Sequence, residues 1–413
     1  MCSLQYMLPN RHNAAGFSGA GLFELNPLFQ GNPAPKICLS YGMGLDSTAL
    51  LLRWLEEPAS RGFDLSDLVV LTAMTGEEFD ATGAAVETHI LPRLADQGVR
   101  FIQVGRTQRR TTKAGQGVVV LDDSDSPRRL FFDGDYTLGD EMLSAGTVPQ
   151  LGGLRACSVH SKGDCLDPVI AAVTAGRPYR HVIGYELGEY KRVLKDQRYN
   201  TGLRTGWYPL ADDWGWDREK CQEYVTGVLG VAWEKSACVF CCFALATQAG
   251  RDKTLERFRR QPSAGVRALL IEHVARSLNP AQTLVSGSSL ADLVRQASLT
   301  QVAEGFSRVL QRCDYSVYEV RRLTRPARNG GRGIVARSVR VLASGDRVDM
   351  DGYLRELPGS RIPGFDGITR HIVFERSVDG VDHLYVAAPA GVDAKERDAF
   401  DTWWDEALRA RVS

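Results

Sequence analysis

Apolar and polar positions along the chain follow two alternating periods. Lys36–Tyr41 (KICLSY), Leu68–Met74 (LVVLTAM), Val99–Val104 (VRFIQV) and Arg180–Tyr185 (RHVIGY) are short apolar runs, which predict strands. Between them lie stretches of helical period, Leu45–Leu55 and Phe79–Leu94. Strands alternating with helices predict an α/β fold: a doubly wound, mostly parallel sheet with helices on both faces. Residues 105–154 interrupt the alternation. Their apolar stretch VVVLDD is expected to form a hairpin strand, and a segment of this length is usually functional or mobile.

The pattern changes after residue 245. Residues 246–312 have helical period, in VRALLIEHVARSL and ADLVRQASLTQVAEGFSRVLQRC. Residues 315–390 turn to strand character (YSVYEV, GIVARSVRVL, HIVFERSV, HLYVAA), and AKERDAFDTWWDEALRAR predicts a closing amphipathic helix. The expected organisation is an irregular arm over 1–34, a first domain over 35–245, a helical region over 246–312 and a strand-rich region over 313–413.

Composition narrows the class. With 413 residues the chain has room for two or three domains. Its 44% hydrophobic and 24% charged residues exclude a disordered chain and a coiled-coil rod. No apolar run approaches the ~20 residues of a bilayer span, so no membrane partner is expected. The opening residues lack the basic-then-apolar order of a secretory signal, so a cytoplasmic location is expected. Net charge is zero but uneven: residues 246–340 hold 17 basic against 7 acidic residues, and residues 341–413 hold 9 against 14. A basic middle segment, with its cluster RRLTRPARNGGRG, suits an anionic partner such as nucleic acid. A solvated helical surface and an exposed linker are the other readings.

Candidate chemistry begins after the first strand, at Ser40-Tyr41-Gly42-Met43-Gly44-Leu45-Asp46-Ser47-Thr48. A strand, a Gly-bearing turn and a helix start form an anion cradle, in which amide groups converge and the helix dipole favours negative charge. No Gly-Lys-Ser/Thr follows, so it is not a Walker loop, and the third Gly of a dinucleotide fingerprint is missing. The segment resembles the PP-loop of the ATP pyrophosphatase superfamily (adenine nucleotide alpha hydrolase-like, HUP-like), Ser-Gly-Gly-x-Asp-Ser. Gly44 matches the second Gly. Gly42 stands at the Ser, where Ser40 or Tyr41 would have to restore the hydroxyl, and Met43 stands at the first Gly. A Met there is strained if the position needs positive φ.

Four further segments resemble the branch related to phosphoadenylylsulfate reductase, in family order. They are Thr75-Gly76-Glu77-Glu78-Phe79 with Thr82, Arg155-x-Cys157 with Lys162, Ile183-Gly184 with Glu189 and Arg192, and Tyr208-Pro209-Leu210. Met74 replaces the branch's Asp before Thr75. The resemblance implies cleavage of ATP to AMP and pyrophosphate with Mg²⁺, through an adenylated acceptor oxygen that a sulfur or nitrogen nucleophile then attacks. It implies nucleotide contacts at Ser40 to Gly44, Asp46 to Thr48, Thr75, Gly76 and Gly184. Asp46, Arg155, Lys162 and Arg192 would serve catalysis, and Glu189 and Lys191 the substrate. The Glu-Cys-Gly-x-His segment of true sulfate-activating reductases is absent, so such a reductase is not expected. The expected reaction is sulfur insertion, possible on nucleic acid, with a sulfur donor such as a cysteine desulfurase. The alternatives are thiolation or amidation of a small metabolite, where Trp207, Trp214 and Trp216 would shape a pocket or a core, and a non-catalytic nucleotide sensor.

Nine cysteines without an export signal suit thiols or metal ligands better than disulfides. Cys238-x-x-Cys241-Cys242 presents a metal-binding turn, and Cys157 lies 81 positions earlier. In the related iron–sulfur adenylylsulfate reductases a Cys-Cys pair precedes a C-x-x-C by about that interval. The candidate ligands are Cys157, Cys238 and Cys241, with Cys242, Cys165, His160 or Cys221 as a fourth. A [4Fe–4S] cluster, a structural zinc and buried thiols without metal all remain open on these residues.

Overall fold

The computed structural model describes residues 33–412 apart from 133, 153–155 and 326–332. The chain is mixed α/β. A mostly parallel sheet is built from β1 (Ile37–Ser40), β2 (Leu68–Ala73), β3 (Arg100–Arg106), β4 (Val118–Ser124), β5 (Tyr179–Ile183) and β6 (Arg204–Trp207), in the order β4-β3-β2-β1-β5-β6. Every neighbouring pair is parallel except β3 and β4, the hairpin expected from VVVLDD.

Successive strand residues point to opposite faces, so a strand covered on both sides must be apolar throughout. Ile37, Leu39, Leu68, Val70 and Phe101 enter one core, with the Leu45–Glu56 and Arg218–Leu229 helices. Cys38, Val69, Leu71, Ala73, Ile102 and Val104 enter the other, with the Asp164–Thr174 helix. The expected helix over Phe79–Leu94 is two helices, Asp80–His89 and Leu91–Asp96. Pro92 has no N–H to give and its ring crowds the carbonyl four residues back, so one helix cannot run through it. The tryptophans pack against neighbouring rings and cations. Trp54 meets Phe63 and Trp207 at 4.9 and 5.3 Å, and Arg53 lies over Trp214 and Trp216 at 4.4 and 4.5 Å.

A second sheet is antiparallel: β7 (Tyr315–Arg325), β8 (Ile334–Gly345), β9 (Ser360–Pro363), β10 (Thr369–Phe374) and β11 (Val381–Pro389), in the order β8-β7-β11-β10-β9. The Pro262–Leu278 helix is mostly buried. Its Glu272 carboxylate accepts the Leu284 and Leu290 amides at 2.8 Å each, pairing loop donors that burial would otherwise strand. The closing helix spans Phe400–Val412.

The chain divides into two compact units. One holds Gly152–Cys241 and the described residues up to Gly139. The other holds Asp140–Leu151 and the described residues from Cys242 onward. The helical and strand-rich regions expected separately therefore belong to one unit, and so does a segment expected in the first domain. Asp140–Leu151 is held by long-range contacts. Asp393 N–H donates to Ser144 O at 2.8 Å, Arg337 reaches Ala145 O at 2.7 Å, and Arg267 pairs with Asp140 at 3.3 Å. Of the expected arm 1–34, only the last two residues are described.

Candidate functional site

The sheet order reverses at β1, which has β2 on one side and β5 on the other. Ligands in open α/β sheets bind outside the carboxyl ends of the strands at such a switch point. Gly42, Met43 and Gly44 make the turn there, and Leu45–Glu56 begins with Gly44 at the N-cap and no capping side chain. The first amides of that helix are therefore left for a ligand or water.

Met43 has φ 56°, the left-handed conformation that the sequence raised as a question at this position. The strain is roughly 1–2 kcal/mol. Two features offset it: the side chain is only 2% exposed, and Trp233 Nε1–H donates to Met43 O at 3.1 Å. Burying a Met is worth about 1.5–3 kcal/mol, and truncation in a core adds a cavity cost. Burial therefore outweighs strain. Met43→Gly is expected to destabilise the chain by about 1–3 kcal/mol, read from the urea midpoint. A raised midpoint would reverse that ranking.

The hydroxyls around the loop have internal partners. Ser47 Oγ donates to Gly44 O at 3.1 Å, and Ser236 Oγ to Gly42 O at 3.0 Å. The Tyr41 hydroxyl bonds the buried Thr48 Oγ1 at 3.0 Å, and Ser40 Oγ lies 2.8 Å from His181 Nε2. Arg204 Nε–H donates to His181 Nδ1 at 3.0 Å, so Nε2 carries the ring proton and donates to Ser40. Ser40 accepts from His181, which leaves its own O–H proton uncommitted by that bond, while Tyr41 shares its hydroxyl with Thr48. Ser236 stands nearest the loop backbone.

Burial, then the Arg204 charge, pushes His181 down to about 4. The folded value lies below the unfolded ~6.5, so the native state binds fewer protons between the two. The contribution is full above pH 6.5 and is lost as pH falls towards 4, about 3 kcal/mol for this residue. Burial pushes His273 of the other unit down to about 4 as well. Urea midpoints are expected to fall across that window, and His181→Asn is expected to flatten the fall. An equally steep fall in the variant would assign it to other groups.

Asp46 lies in the first helical turn. Arg218 reaches its Oδ2 at 3.2 Å, while its Oδ1 is buried without a hydrogen-bond partner. Burial raises its pKa, Arg218 opposes this, and the Glu189 and Glu186 charges add to the rise. Gly184, after β5, closes the site from the other side. A Cβ there would stand 2.8 Å from Ser47 Cα and 2.9 Å from its amide nitrogen, so only Gly lets the two loops meet.

The loop after β2 is organised by Glu78. Its carboxylate accepts from the Thr75 hydroxyl at 2.6 Å, the Thr75 amide at 3.1 Å and the Glu77 amide at 3.1 Å, with Gly76 at φ 77°. Val239 N–H donates to Glu77 O at 2.8 Å, and Glu78 bridges Cys238, so the cysteine turn is stitched to this loop. Cys241 N–H donates to Cys238 O at 3.0 Å, which closes the C-x-x-C turn. The Cys238 thiol is pushed well above the ordinary range by its hydrogen bond with Cys241, by burial and by Cys241 and Cys157 beside it. Burial and Cys241 raise Cys157 too.

Three of the expected ligands, Cys157, Cys238 and Cys241, thus face one another. Even so, among the described residues no group of three or more His, Cys, Asp or Glu is arranged to hold a metal ion. The thiols as they stand fit neither a cluster nor zinc. The fourth-ligand expectations divide on burial. Cys165 is core, with its thiol donating to His160 O at 3.4 Å, and Cys221 is also core. Cys242 belongs to the other unit.

Among the expected cationic clamps, Arg155 lies outside the described residues. Lys162 sits half-buried in a π-helical turn, Val159–Gly163, a geometry frequent at functional sites. Arg192 is held by Glu189 and lies over the Tyr185 ring at 4.4 Å, and Lys191 is exposed. Sequence reasoning missed Arg218, Glu186, Trp233 and Ser236. No local signal marks them, since they reach the loop only through the fold.

Two arginines of the basic cluster, Arg321 and Arg322, are turned inward. Arg321 pairs with Asp401 at 2.7 Å. Arg322 donates to Leu278 O, pairs with Asp382 at 3.5 Å, and is pushed down to about 10 by burial. Residues 326–332 of the cluster lie outside the described residues. No helix among the described residues is long and apolar enough to cross a membrane. No protein-family model, curated protein or solved structure matches the chain.

Proposed function

We propose that the first unit is a PP-loop ATP pyrophosphatase on a doubly wound sheet. It binds ATP with the β and γ phosphates against the Gly42–Ser47 loop. An acceptor oxygen then attacks the α phosphate, pyrophosphate leaves, the acceptor is adenylated, and a second nucleophile attacks the acceptor carbon and displaces AMP. The observation that carries this reading is the uncapped helix N-terminus at the β1 switch point, pressed by Gly184 on one side and faced by the unpartnered Asp46 Oδ1. The amides and the helix dipole suit developing negative charge on phosphate oxygens.

Mg²⁺ suits the Asp46 carboxylate, because this ion keeps most of its waters and is held by one or two carboxylates plus substrate phosphates. Among the described candidate clamps Lys162 remains to meet phosphate, as Arg192 is already engaged by Glu189.

The test is the fate of ATP labelled at the α phosphate, incubated with the full chain and Mg²⁺. AMP and pyrophosphate are the expected products, accumulating faster with an acceptor. ADP and phosphate, or intact ATP with every acceptor class tried, would overturn the reading.

A further inference from the structure

The second unit carries a cavity that adenylyl transfer in the first does not use. Its volume is about 320 Å³, at the lower end of the roughly 300–1,000 Å³ of small-molecule sites. Phe306, Tyr315, Leu354 and Ile368 give it apolar walls, and Arg347, Arg355 and Arg361 also line it. These three arginines are exposed, and among the described residues none of their side chains forms a hydrogen bond or ion pair. The Arg347 guanidinium lies instead 5.4 Å from the Tyr315 ring centre. Other arginines of the same unit, such as Arg267, Arg321, Arg340 and Arg370, are paired. Three unpaired guanidinium groups around one cavity leave standing positive charge suited to an anion.

A second observation comes from the cavity wall. His371 is 4% exposed, and its Nδ1 lies 3.1 Å from Leu357 O. A carbonyl only accepts, so Nδ1 carries a proton, and in that tautomer Nε2 is an acceptor. That atom is buried with no hydrogen-bond partner. Buried polar atoms are nearly always paired, so an orphaned acceptor in a cavity wall calls for a donor on a ligand. His273, lowered by burial, is neutral beside it and meets Phe306 edge-on at 5.5 Å.

The carboxylates do not cancel the arginines. Asp366 is held by Arg370 at 2.7 Å and Arg276 at 3.8 Å. Asp351 lines the cavity without an ion pair among the described residues, and it accepts donors such as sugar hydroxyls. The site therefore asks for an anionic group at the three arginines, a flat body between apolar walls, and a hydrogen-bond donor for His371 Nε2.

We propose that this cavity binds a nucleoside monophosphate, with its phosphate on Arg347, Arg355 and Arg361 and its base donating to His371. The nucleotide is either free or the phosphorylated end of a strand.

The experiment is photolabelling of the full chain with 8-azidoadenosine 5′-monophosphate, followed by peptide mapping. Label is expected on peptides within 347–371, which are read separately from any label near the Gly42–Ser47 loop. Arg347→Ala combined with Arg361→Ala, both at exposed positions, is expected to cut that label roughly tenfold or more. His371→Phe, which keeps a ring but removes the acceptor, is expected to weaken it further. Competition separates the sources: protection by AMP alone supports the free nucleotide, and protection by a 5′-phosphorylated oligonucleotide at lower concentration supports a strand end. Equal protection by inorganic phosphate, label confined to the first unit, or label undiminished in the arginine variant would overturn the proposal.

Discussion

Asp46→Ala is expected to abolish pyrophosphate release from ATP while leaving the chain as stable as before. The two halves of that expectation have separate causes. Losing a positioned charged group at developing phosphate charge costs roughly 10²–10³ in kcat. Stability responds differently, because the native environment disfavours the ionised carboxylate: burial raises its pKa, and the Glu189 and Glu186 charges add to that. Its one ion pair, with half-exposed Arg218, is worth about 0–1 kcal/mol. Relief of burial offsets that loss. Turnover and the urea midpoint are measured on the same preparation. Undiminished turnover would remove the loop from the reaction, and a collapse of both would make Asp46 a structural residue.

The second large effect belongs to Gly184. Gly184→Ala is expected to cost about 1–3 kcal/mol and most of the ATP affinity, because its Cβ would meet the Ser47 backbone, which cannot rotate away. Gly42→Ala is the matched control. A Cβ there meets nothing within 4 Å, and the change is expected to stay within about 0.5 kcal/mol. Both variants are read by ATP titration and thermal unfolding. If the Gly42 variant proved the more damaging, the close approach across β1 and β5 would not be what shapes the site.

What the sequence made legible follows from burial. β1, β2 and β3 are covered on both faces and read as mostly apolar runs. β6 (Arg204–Trp207) and β9 (Ser360–Pro363) are four-residue edge strands, and β9 is exposed throughout, so no period marks them. The Arg347–Arg355 helix was hidden in a strand-rich stretch, although Asp346 caps it by accepting the Asp349 amide. The Met43 conformation was foreseeable from one position of one motif. Trp233 and Ser236, which hold that loop, are about 190 positions away from it and carry no mark of their own. Two arginines of the basic cluster make a related point. A charge count records how many guanidinium groups a segment holds, but Arg321 and Arg322 spend theirs on a helix carbonyl and on acidic partners.

The assignment of Asp140–Leu151 to the second unit bears on how the chain is made. That short segment leaves the ribosome long before Arg267, Arg337 and Asp393, which hold it, while the first unit still lacks everything from Gly152 on. Domains fold as units during synthesis, at about 5–20 residues per second. Here the buried Leu143 and Val148 must wait for most of the remaining chain before they find cover. Neither unit can be excised as one uninterrupted fragment. A gene cut between the two cysteines Cys241 and Cys242 would release a nascent polypeptide with an orphaned apolar segment, a natural target for chaperones and proteases.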